Sequence, residues 1–337
     1  MKMKRKNSVR SDAPVRLDAK DAKLLAILRD DARTPISGLA KLLGLNRDTV
    51  KYRMKRLEKT GVVRRYYAEI DRSVFGMLVC RVFLLLDESD QRKQALLVQE
   101  LKDHPNTEAL LEYNDRWDLK WVLVAQHLEE LDDIIMRIST KYSGVILEKD
   151  TLVVVRWTRA AAWDPEQQGD ALDDTDRRIL SLLSADCREN AVGIARKVHL
   201  GSDAVIARIK RLKLSGVIRR FTISIDQQRL GRQQYTIMLQ MKQFDEHHQS
   251  KLKEFVRARP QILRCMKTIG TWDIMMMISV DDTTQFHGIV KSLKQTFSDV
   301  IKNYESYLVY RETFVTSLPR CIVGVEEIVK TTRKKKS

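Results

Sequence analysis

The chain repeats itself, and this repeat constrains its fold more than any other feature of the sequence. Residue n and residue n+155 match without a gap from Leu17 to Thr158. Gly61-Val62 returns as Gly216-Val217, and Trp117-Asp118 returns as Trp272-Asp273. A solenoid repeat has a period of roughly 20 to 50 residues, which is much shorter. The sequence therefore predicts a duplicated domain pair within one chain of 337 residues.

The positive charge of the chain is confined to a few segments. The net charge is +16, and most of the excess lies in 1–15, 16–65, 172–220 and 325–337, while the other segments together are acidic. Such segregation is typical of a protein in which one module binds a polyanion and the other does not. An acidic membrane surface is the competing target. A membrane-binding helix needs a broad exposed apolar face, however, and here the apolar positions are committed to small cores.

The cysteines indicate a reducing compartment. They stand singly, without a CxxC pair or a nearby histidine, which predicts free thiols and neither a disulfide framework nor a zinc site. No apolar stretch approaches the ~20 residues that span a bilayer, and the first residues lack the apolar core of a signal peptide. We therefore expect a cytoplasmic protein with no membrane partner, metal or cofactor. The cysteines are Cys80, Cys187, Cys265 and Cys321.

The first third of each repeat has the pattern of three short helices. In the first copy, Thr34 as N-cap and Pro35 at the first helical position predict a second helix over about 35–43. A Gly-Leu turn follows, and Asn46 then predicts the start of a third helix over about 47–60. Two helices joined by a tight turn after a first helix indicate a helix-turn-helix domain.

The third helix of the first copy has the surface of a DNA-recognition helix. Val50, Met54 and Leu57 recur at i, i+4 and i+7 and predict a buried stripe. The opposite side is a cationic ridge, which fits the ~12 Å wide major groove, although a merely solvated face is the alternative. We predict that this ridge contacts DNA. The predicted contacts are Arg47, Asp48, Lys51, Tyr52, Lys55 and Arg56.

The corresponding helix of the second copy has a weaker outer face. Ser202 and Ile206 stand where the first copy has Arg47 and Lys51. We therefore expect the first copy to contribute more affinity, and Ile206 to contact an apolar group such as a thymine methyl. Extended runs follow both helices, and the arginine pairs that begin them are predicted to hold phosphates. The predicted contacts are Ser202, Asp203, Ile206, Lys210 and Arg211, with the pairs Arg64-Arg65 and Arg219-Arg220.

The remainder of each repeat alternates strands and helices. In the first copy the order is β-α-β-β-α-β, which is the order of a ferredoxin-like domain, and the second copy follows the same plan. The predicted fold class is α+β, with two copies of a winged helix-turn-helix domain, each followed by a ferredoxin-like domain. No catalytic constellation recurs between the copies, so no enzyme is predicted. The strands of the first copy are predicted at 77–86, 107–113, 119–125 and 145–157, and its helices at 91–103 and 128–141.

The predicted domain boundaries follow from these patterns. A basic arm covers 1–16, and a linker joins the repeats at 159–171. The helix-turn-helix domains are predicted at 17–70 and 172–225, the ferredoxin-like domains at 71–158 and 226–313, and a C-terminal extension with a basic tail at 314–337.

The helix-turn-helix residues resemble the Lrp/AsnC family of feast/famine regulators. The shared order is L-D-x-x-D-x-x-I/L-L, an alanine in the second helix, V-x-x-R-I/M-x-R-L, G-V-I/V and R-R, and the resemblance covers about 17–313. The matching residues of the first copy are Leu17, Asp18, Asp21, Leu24, Leu25, Ala40, Val50, Arg53, Met54, Arg56, Leu57, Gly61, Val62, Val63, Arg64 and Arg65. Those of the second copy are Leu172, Asp173, Asp176, Ile179, Leu180, Ala195, Val205, Arg208, Ile209, Arg211, Leu212, Gly216, Val217, Ile218, Arg219 and Arg220.

The resemblance implies a sequence-specific transcriptional regulator that binds double-stranded DNA in the nucleoid. It also implies that the ferredoxin-like domain oligomerises and senses an amino acid or a related small effector. In the family a G-x-x-D turn helps form the effector pocket. Gly270, Thr271 and Asp273 supply that turn in the second copy, whereas the first copy has Asp115 in place of the glycine.

Joining two units resembles a covalent pseudo-dimer with unequal recognition helices, which suits an asymmetric operator. The sequence leaves open whether the halves pair within one chain or between chains, and a homo-oligomer is expected. Two other functions stay open. One is an architectural, nucleoid-type DNA-binding protein with little sequence preference, and the other is an enzyme similar to the sirohaem decarboxylases that share this architecture.

Overall fold

The computed structural model describes residues 14–157 and 172–323. The predicted basic arm up to residue 13, the linker region 158–171 and the tail 324–337 lie outside the described residues.

The first repeat folds in the predicted order of helices and strands. Its elements are α1 (Ala19–Asp30), α2 (Ile36–Leu43), α3 (Arg47–Lys59), β1 (Val63–Ile70), β2 (Leu78–Leu86), α4 (Gln91–Asp103), β3 (Thr107–Tyr113), β4 (Leu119–Ala125), α5 (Leu128–Lys141) and β5 (Ile146–Trp157).

The second repeat has the same order, and a short helix follows it. Its elements are α6 (Asp174–Ala185), α7 (Ala191–Val198), α8 (Ser202–Leu214), β6 (Ile218–Ile225), β7 (Gln233–Met241), α9 (Glu246–Arg257), β8 (Ile262–Ile269), β9 (Ile274–Val280), α10 (Thr283–Thr296), β10 (Ile301–Phe314) and α11 (Arg320–Val323).

The helix starts follow local capping chemistry, with one correction. The Asn46 side chain accepts from the Thr49 backbone N–H at 2.7 Å, as its position predicted. The prediction that Thr34 caps α2 with Pro35 inside the helix is wrong, because Pro35 is itself the N-cap residue. The Thr34 hydroxyl instead donates to the Asp31 carbonyl at 2.8 Å, which holds the turn before α2.

Strands β1 and β6 join the two helix-turn-helix domains. They pair with each other antiparallel, with Tyr67 opposite Thr222. The Asp71 N–H donates to the Val217 carbonyl and the Asp226 N–H to the Val62 carbonyl, both at 2.9 Å, and these two bonds are related by the 155-residue offset. The two halves therefore pair within one chain, about a pseudo-twofold axis.

The two ferredoxin-like domains close into one barrel. The strand order is β10-β3-β4-β2-β5-β8-β9-β7, so the sheet of each repeat meets the other at β5–β8 and at β10–β3. Two separate apolar clusters, one per repeat, lie between a sheet and its helices α4 and α5 or α9 and α10. The barrel interior continues the apolar core of the helix-turn-helix domains, so barrel and DNA-binding layer pack as one body.

Both ends of the described chain cross onto the other repeat. The Val15 N–H donates to the Arg229 carbonyl at 2.7 Å. The Ser317 hydroxyl donates to the Ala68 carbonyl at 2.8 Å, and the Val315 N–H donates to the Glu108 carbonyl at 2.8 Å. These contacts hold the DNA-binding layer against the barrel. Within the described ranges, no helix combines the length and apolarity required to cross a bilayer.

Candidate nucleic-acid interface

Helix α3 presents most of its predicted DNA contacts to solvent. Arg47, Asp48, Lys51, Tyr52 and Lys55 are all exposed, and Tyr52 retains 68% of its accessible surface. The buried stripe lies on the opposite side, as the spacing predicted. The Lys51 ammonium lies 3.4 Å from the Asp48 carboxylate, which is an exposed pair of small energetic weight. This face is therefore free to meet a polyanion.

The Arg56 guanidinium, which is also predicted to contact DNA, forms an ion pair within the chain. It pairs with the Asp21 carboxylate of α1, which is fully buried. Arg53 Nη1 lies 2.7 Å from Asp21 Oδ1 and 2.7 Å from Asp18 Oδ2. A buried carboxylate requires such cations, because an unpaired buried charge is very costly. The second copy repeats this arrangement: Arg211 and Arg208 pair with Asp176.

The sequence contained a signal for this cluster that residue charge alone does not reveal. Asp21 is the first residue of the buried stripe of α1. Leu24, Leu25 and Leu28 follow it at i+3, i+4 and i+7, and all four residues are buried. An acidic residue on an apolar stripe indicates a buried ion pair with cations on the facing helix.

The outer face of α8 is more apolar than that of α3. Ile206 retains 54% of its accessible surface, and Asp203 and Lys210 are also exposed, while Ser202 is half-buried. Leu214 at the end of the helix retains 75%. The two recognition helices therefore differ in chemistry although they share a backbone plan.

The four arginines predicted to hold phosphates contact acceptors within the chain. Arg64 Nε donates to Asp226 Oδ2 at 3.0 Å, and Arg64 Nη1 donates to the Glu312 carbonyl at 2.9 Å. Arg219 Nη2 donates to Asp71 Oδ2 at 2.8 Å. The pairing of β1 with β6 causes this, because it places each arginine beside the other repeat. Arg65 donates to the Val315 carbonyl and Arg220 to the Glu69 carboxylate.

The turn predicted to bind an effector packs against the other repeat. Gly270 has φ +140, and a Cβ there would lie 2.7 Å from the Thr151 carbonyl oxygen and 2.7 Å from Leu152 Cδ2. Thr271 Oγ1 donates to Asp150 Oδ1 at 2.9 Å. Asp273 Oδ2 accepts from the Met241 N–H at 2.7 Å, so this oxygen holds the end of β7.

The corresponding turn of the first copy accommodates Asp115 without a left-handed backbone. Its carboxylate accepts from the Leu308 N–H at 2.9 Å, and no positive φ is found there. The Arg116 guanidinium lies 3.1 Å from the Glu148 carboxylate and 3.5 Å from that of Glu305. The first turn is thus held to β10 by contacts of charged side chains, whereas the second turn is held to β5 by close backbone approach.

We expect Gly270→Ala to lower the free energy of unfolding by about 1 to 2 kcal/mol, because the added Cβ has no room and the backbone angle disfavours it. Thermal or urea unfolding measures the change. Gly288→Ala is the matched control, since no atom lies within 4 Å of its Cβ position in α10, and it should be neutral or slightly stabilising. Equal destabilisation by both variants would contradict the close approach.

Comparison with family models assigns three of the four domains. Residues 17–64 match a winged helix-turn-helix DNA-binding model, and 172–213 match the AsnC-type helix-turn-helix domain. Residues 234–318 match the Lrp/AsnC ligand binding domain. These segments are the two DNA-binding domains and the second ferredoxin-like domain described above.

Several curated relatives are transcriptional regulators. The transcriptional regulator AzlB of Bacillus subtilis is 28% identical over 129 residues, which are 38% of this chain and 82% of that protein. An uncharacterised HTH-type transcriptional regulator of Pyrococcus furiosus is 31% identical over 36% of this chain and 81% of its own length. The proline dehydrogenase transcriptional activator of Rhodobacter capsulatus is 30% identical over 36% of this chain and 79% of its own length.

The fold and these matches define a helix-turn-helix regulator with a ligand-binding domain. The chain belongs to the Lrp/AsnC family of transcriptional regulators, as a tandem duplicate in which both units lie in one polypeptide.

A solved structure shares the whole tandem arrangement. The crystal structure of the siroheme decarboxylase NirDL covers 93% of this chain and 99% of its own, with a TM-score of 0.60 and 14% sequence identity. Its complex with an iron-uroporphyrin III analogue gives a TM-score of 0.61. Identity this low shows a common fold and nothing about chemistry.

Proposed function

We propose that one chain binds an asymmetric DNA operator as a covalent pseudo-dimer, with α3 as the leading recognition helix. The pairing of β1 with β6 is the observation that carries this proposal, because it fixes two DNA-binding domains about a pseudo-twofold axis within a single chain. A symmetric dimer suits a palindrome, since half-sites mirror the symmetry of the protein. Unequal helices on the same frame favour two unlike half-sites.

In this proposal the residues of α3 and α8 make different contacts with DNA. Arg47 and Asp48 lie at the start of α3, where side chains reach base edges, while Lys51, Tyr52 and Lys55 contact the backbone or the groove wall. On α8 the exposed Ile206 contacts an apolar base edge. Ser202, Asp203 and Lys210 complete the second, weaker half-site.

The ferredoxin-like domains supply regulation in this proposal. We place a small effector, of the amino-acid class that the resemblance implies, at the second turn, with Gly270, Thr271 and Asp273. The carboxylate of Asp273 already accepts a backbone N–H. We therefore assign it the role of fixing the turn, and assign contact with the effector to the exposed residues Gly270 and Thr271. Assembly into larger homo-oligomers and association with the nucleoid belong to the same proposal.

The chain acts in this proposal as a regulator and not as an enzyme. Its relatives named above are regulators, and the likeness to NirDL extends to the fold. Mixing the protein with sirohaem should leave the absorption spectrum of sirohaem unchanged. A shift of that spectrum would favour the enzyme.

The test of the DNA-binding proposal starts with selection of bound fragments from a random DNA library, followed by sequencing. We expect one asymmetric motif. Tight binding that yields no motif and falls steeply with salt would indicate an architectural protein, because phosphate contact alone is governed by counterion release.

Changing Arg47 and Lys51 together to Ala should weaken binding to the selected site roughly 30-fold, because each removes a charged contact worth about 1 kcal/mol or more. Fluorescence anisotropy at several salt concentrations measures this. Loss of the Lys51 contact with a phosphate should also reduce the slope of log affinity against log salt by about 0.9. The reverse exchange, Ser202→Arg with Ile206→Lys, should strengthen binding and increase that slope.

Lys253→Ala with Arg257→Ala is the matched control. Both residues are exposed on α9, outside the DNA-binding layer, and the change in net charge is the same. If the control weakened binding as much as the α3 pair, long-range charge and not the recognition helix would be responsible.

A further inference from the structure

A cavity lies between the DNA-binding layer and the barrel. Its volume is about 270 Å³. One side is formed by the β1–β6 pair, which supplies Tyr67 and Arg220, and the other by barrel strands, which supply Val154 and Arg264. A ligand held here would touch both layers at once. The cavity is separate from the recognition helices and from the turn at 270–273.

Two hydrogen-bond donors in this cavity have no acceptor. The Arg264 guanidinium and the Tyr67 hydroxyl form no hydrogen bond or ion pair with any residue in 14–157 or 172–323. Burial raises the pKa of Tyr67 to about 12, and nearby Arg264 acts in the opposite direction. The Tyr67 hydroxyl therefore keeps its proton at neutral pH. Donors that point into a cavity without partners favour a ligand that accepts hydrogen bonds.

The other charged groups of the cavity are already paired. Arg219 pairs with Asp71, Arg220 with Glu69, and Arg72 with Glu108. Among the four arginines that line the cavity, Arg264 alone has no direct ion pair within the described part of the chain. The nearby carboxylates of Glu312, Glu108 and Glu69 raise its pKa, and an anionic group in the cavity would accept the hydrogen bonds that they leave unmade. Part of the wall is apolar, from Met77, Val79, Val154 and Phe314. A guanidinium matches carboxylate and phosphate geometry especially well.

The cavity exists on one side of the pseudo-twofold axis. By the 155-residue offset, Arg264 corresponds to Ala109 and Tyr67 to Thr222, so neither donor has a counterpart. The equivalent position across the axis holds a recess of about 20 Å³, in which Arg64 already contacts Asp226 and the Glu312 carbonyl. Within the described residues, the equivalent recess therefore lacks the two donors of this cavity.

We propose that this cavity binds a small organic anion, one carboxylate or phosphate group on a compact apolar body, through Arg264 and Tyr67. The anionic group accepts from both donors, and the body packs against Met77 and Phe314. Because the ligand bridges the β1–β6 pair and the barrel, its binding favours one arrangement of the two layers. DNA affinity then changes by the same factor as ligand affinity changes on DNA binding.

The test uses the full chain and isothermal titration calorimetry, without DNA, so its outcome does not depend on the proposed DNA-binding function. Benzoate and phenyl phosphate share one apolar body and differ in the anionic group, so their ranking identifies the group. Acetate and inorganic phosphate lack the body and should bind more weakly. We expect one site per chain, with a dissociation constant of about 1 mM or tighter for the better probe.

Arg264→Ala installs the residue that the other repeat has at this position and should weaken probe binding roughly tenfold or more, the worth of one charge-assisted hydrogen bond. Tyr67→Phe removes only the hydroxyl and should weaken binding by a smaller factor, which keeps the test decisive if the first variant does not fold. Arg257→Ala, exposed on α9, should change nothing. Absence of binding to the wild type, two equal sites per chain, or unchanged affinity in both cavity variants would each overturn the proposal.

Discussion

Replacing Asp21 by Ala is expected to lower the free energy of unfolding by about 3 to 5 kcal/mol, the usual cost of removing one partner of a buried ion pair. Asp21 is fully buried, and Arg53 and Arg56 both pair with it. Its removal leaves these two cations crowded against an apolar core. It also deletes half of the capping box that starts α1. Urea unfolding followed by circular dichroism measures the loss.

DNA binding should fall with stability in this variant, although Asp21 itself is too buried to reach DNA. Asp48→Ala is the matched control: it removes the same group from an exposed position of α3, where 93% of the side chain is accessible, and stability should change by less than about 0.5 kcal/mol. If Asp21→Ala proved as stable as Asp48→Ala, the two guanidinium groups would not depend on Asp21, and Arg56 would return as a candidate DNA contact.

Replacing Lys120 by Met is expected to raise the free energy of unfolding by about 2 to 4 kcal/mol at neutral pH, since a buried charge exchanged for a well-packed apolar group is often stabilising. Lys120 is fully buried inside the barrel. Its Nζ donates to Thr236 Oγ1 at 3.3 Å and lies 5.5 Å from the centroid of the Tyr113 ring. The second repeat has Met275 at the corresponding position, so the barrel interior already accepts methionine there.

The stabilisation should depend on pH. Burial, together with the nearby Arg81 guanidinium, holds the pKa of Lys120 well below its usual range. The unfolded chain therefore binds a proton that the folded chain binds less readily, and the stability of the wild type rises with pH up to the unfolded pKa. The advantage of Lys120→Met should be largest below the lowered pKa of Lys120 and shrink as the pH rises towards the unfolded value of about 10. Thiols and phenols common to both proteins cancel in this difference.

Lys253→Met serves as the control for this second prediction. Lys253 is exposed on α9, so the change should leave stability within about 0.5 kcal/mol at every pH. If the Lys120→Met variant were less stable than the wild type, the contacts of the Lys120 ammonium group would outweigh the cost of burying it.

Local structure was largely predictable from the sequence, whereas the contacts between repeats were not. Helices α4 and α5 and strands β3 and β4 begin and end where the periodicity placed them, because apolar spacing and turn residues act locally. The partner of β1 was not predictable. A strand of alternating character indicates that it needs a partner but not which one, so the contacts of its arginines with the other repeat could not be predicted.

The candidate DNA interface was predictable in part for the same reason. The exposed ridge of α3 follows from helical periodicity. The inward turn of Arg56 depends on a carboxylate 35 positions earlier in the chain, and the cavity beside Arg264 depends on residues from both copies. Pattern within one element contains no information about such distant neighbours.

Because the two ferredoxin-like domains close into one barrel, joining the two units in one chain changes which residues the barrel interior can contain. In a dimer of identical chains, every substitution at the symmetry axis occurs twice, so a lysine entering the barrel would face a second lysine. Here Arg81 and Lys120 correspond to the neutral residues Thr236 and Met275 of the second copy, and Lys120 Nζ donates to Thr236 Oγ1. One covalent chain can therefore place a buried cation in one copy opposite a neutral residue in the other, an arrangement that symmetry does not allow to two identical subunits.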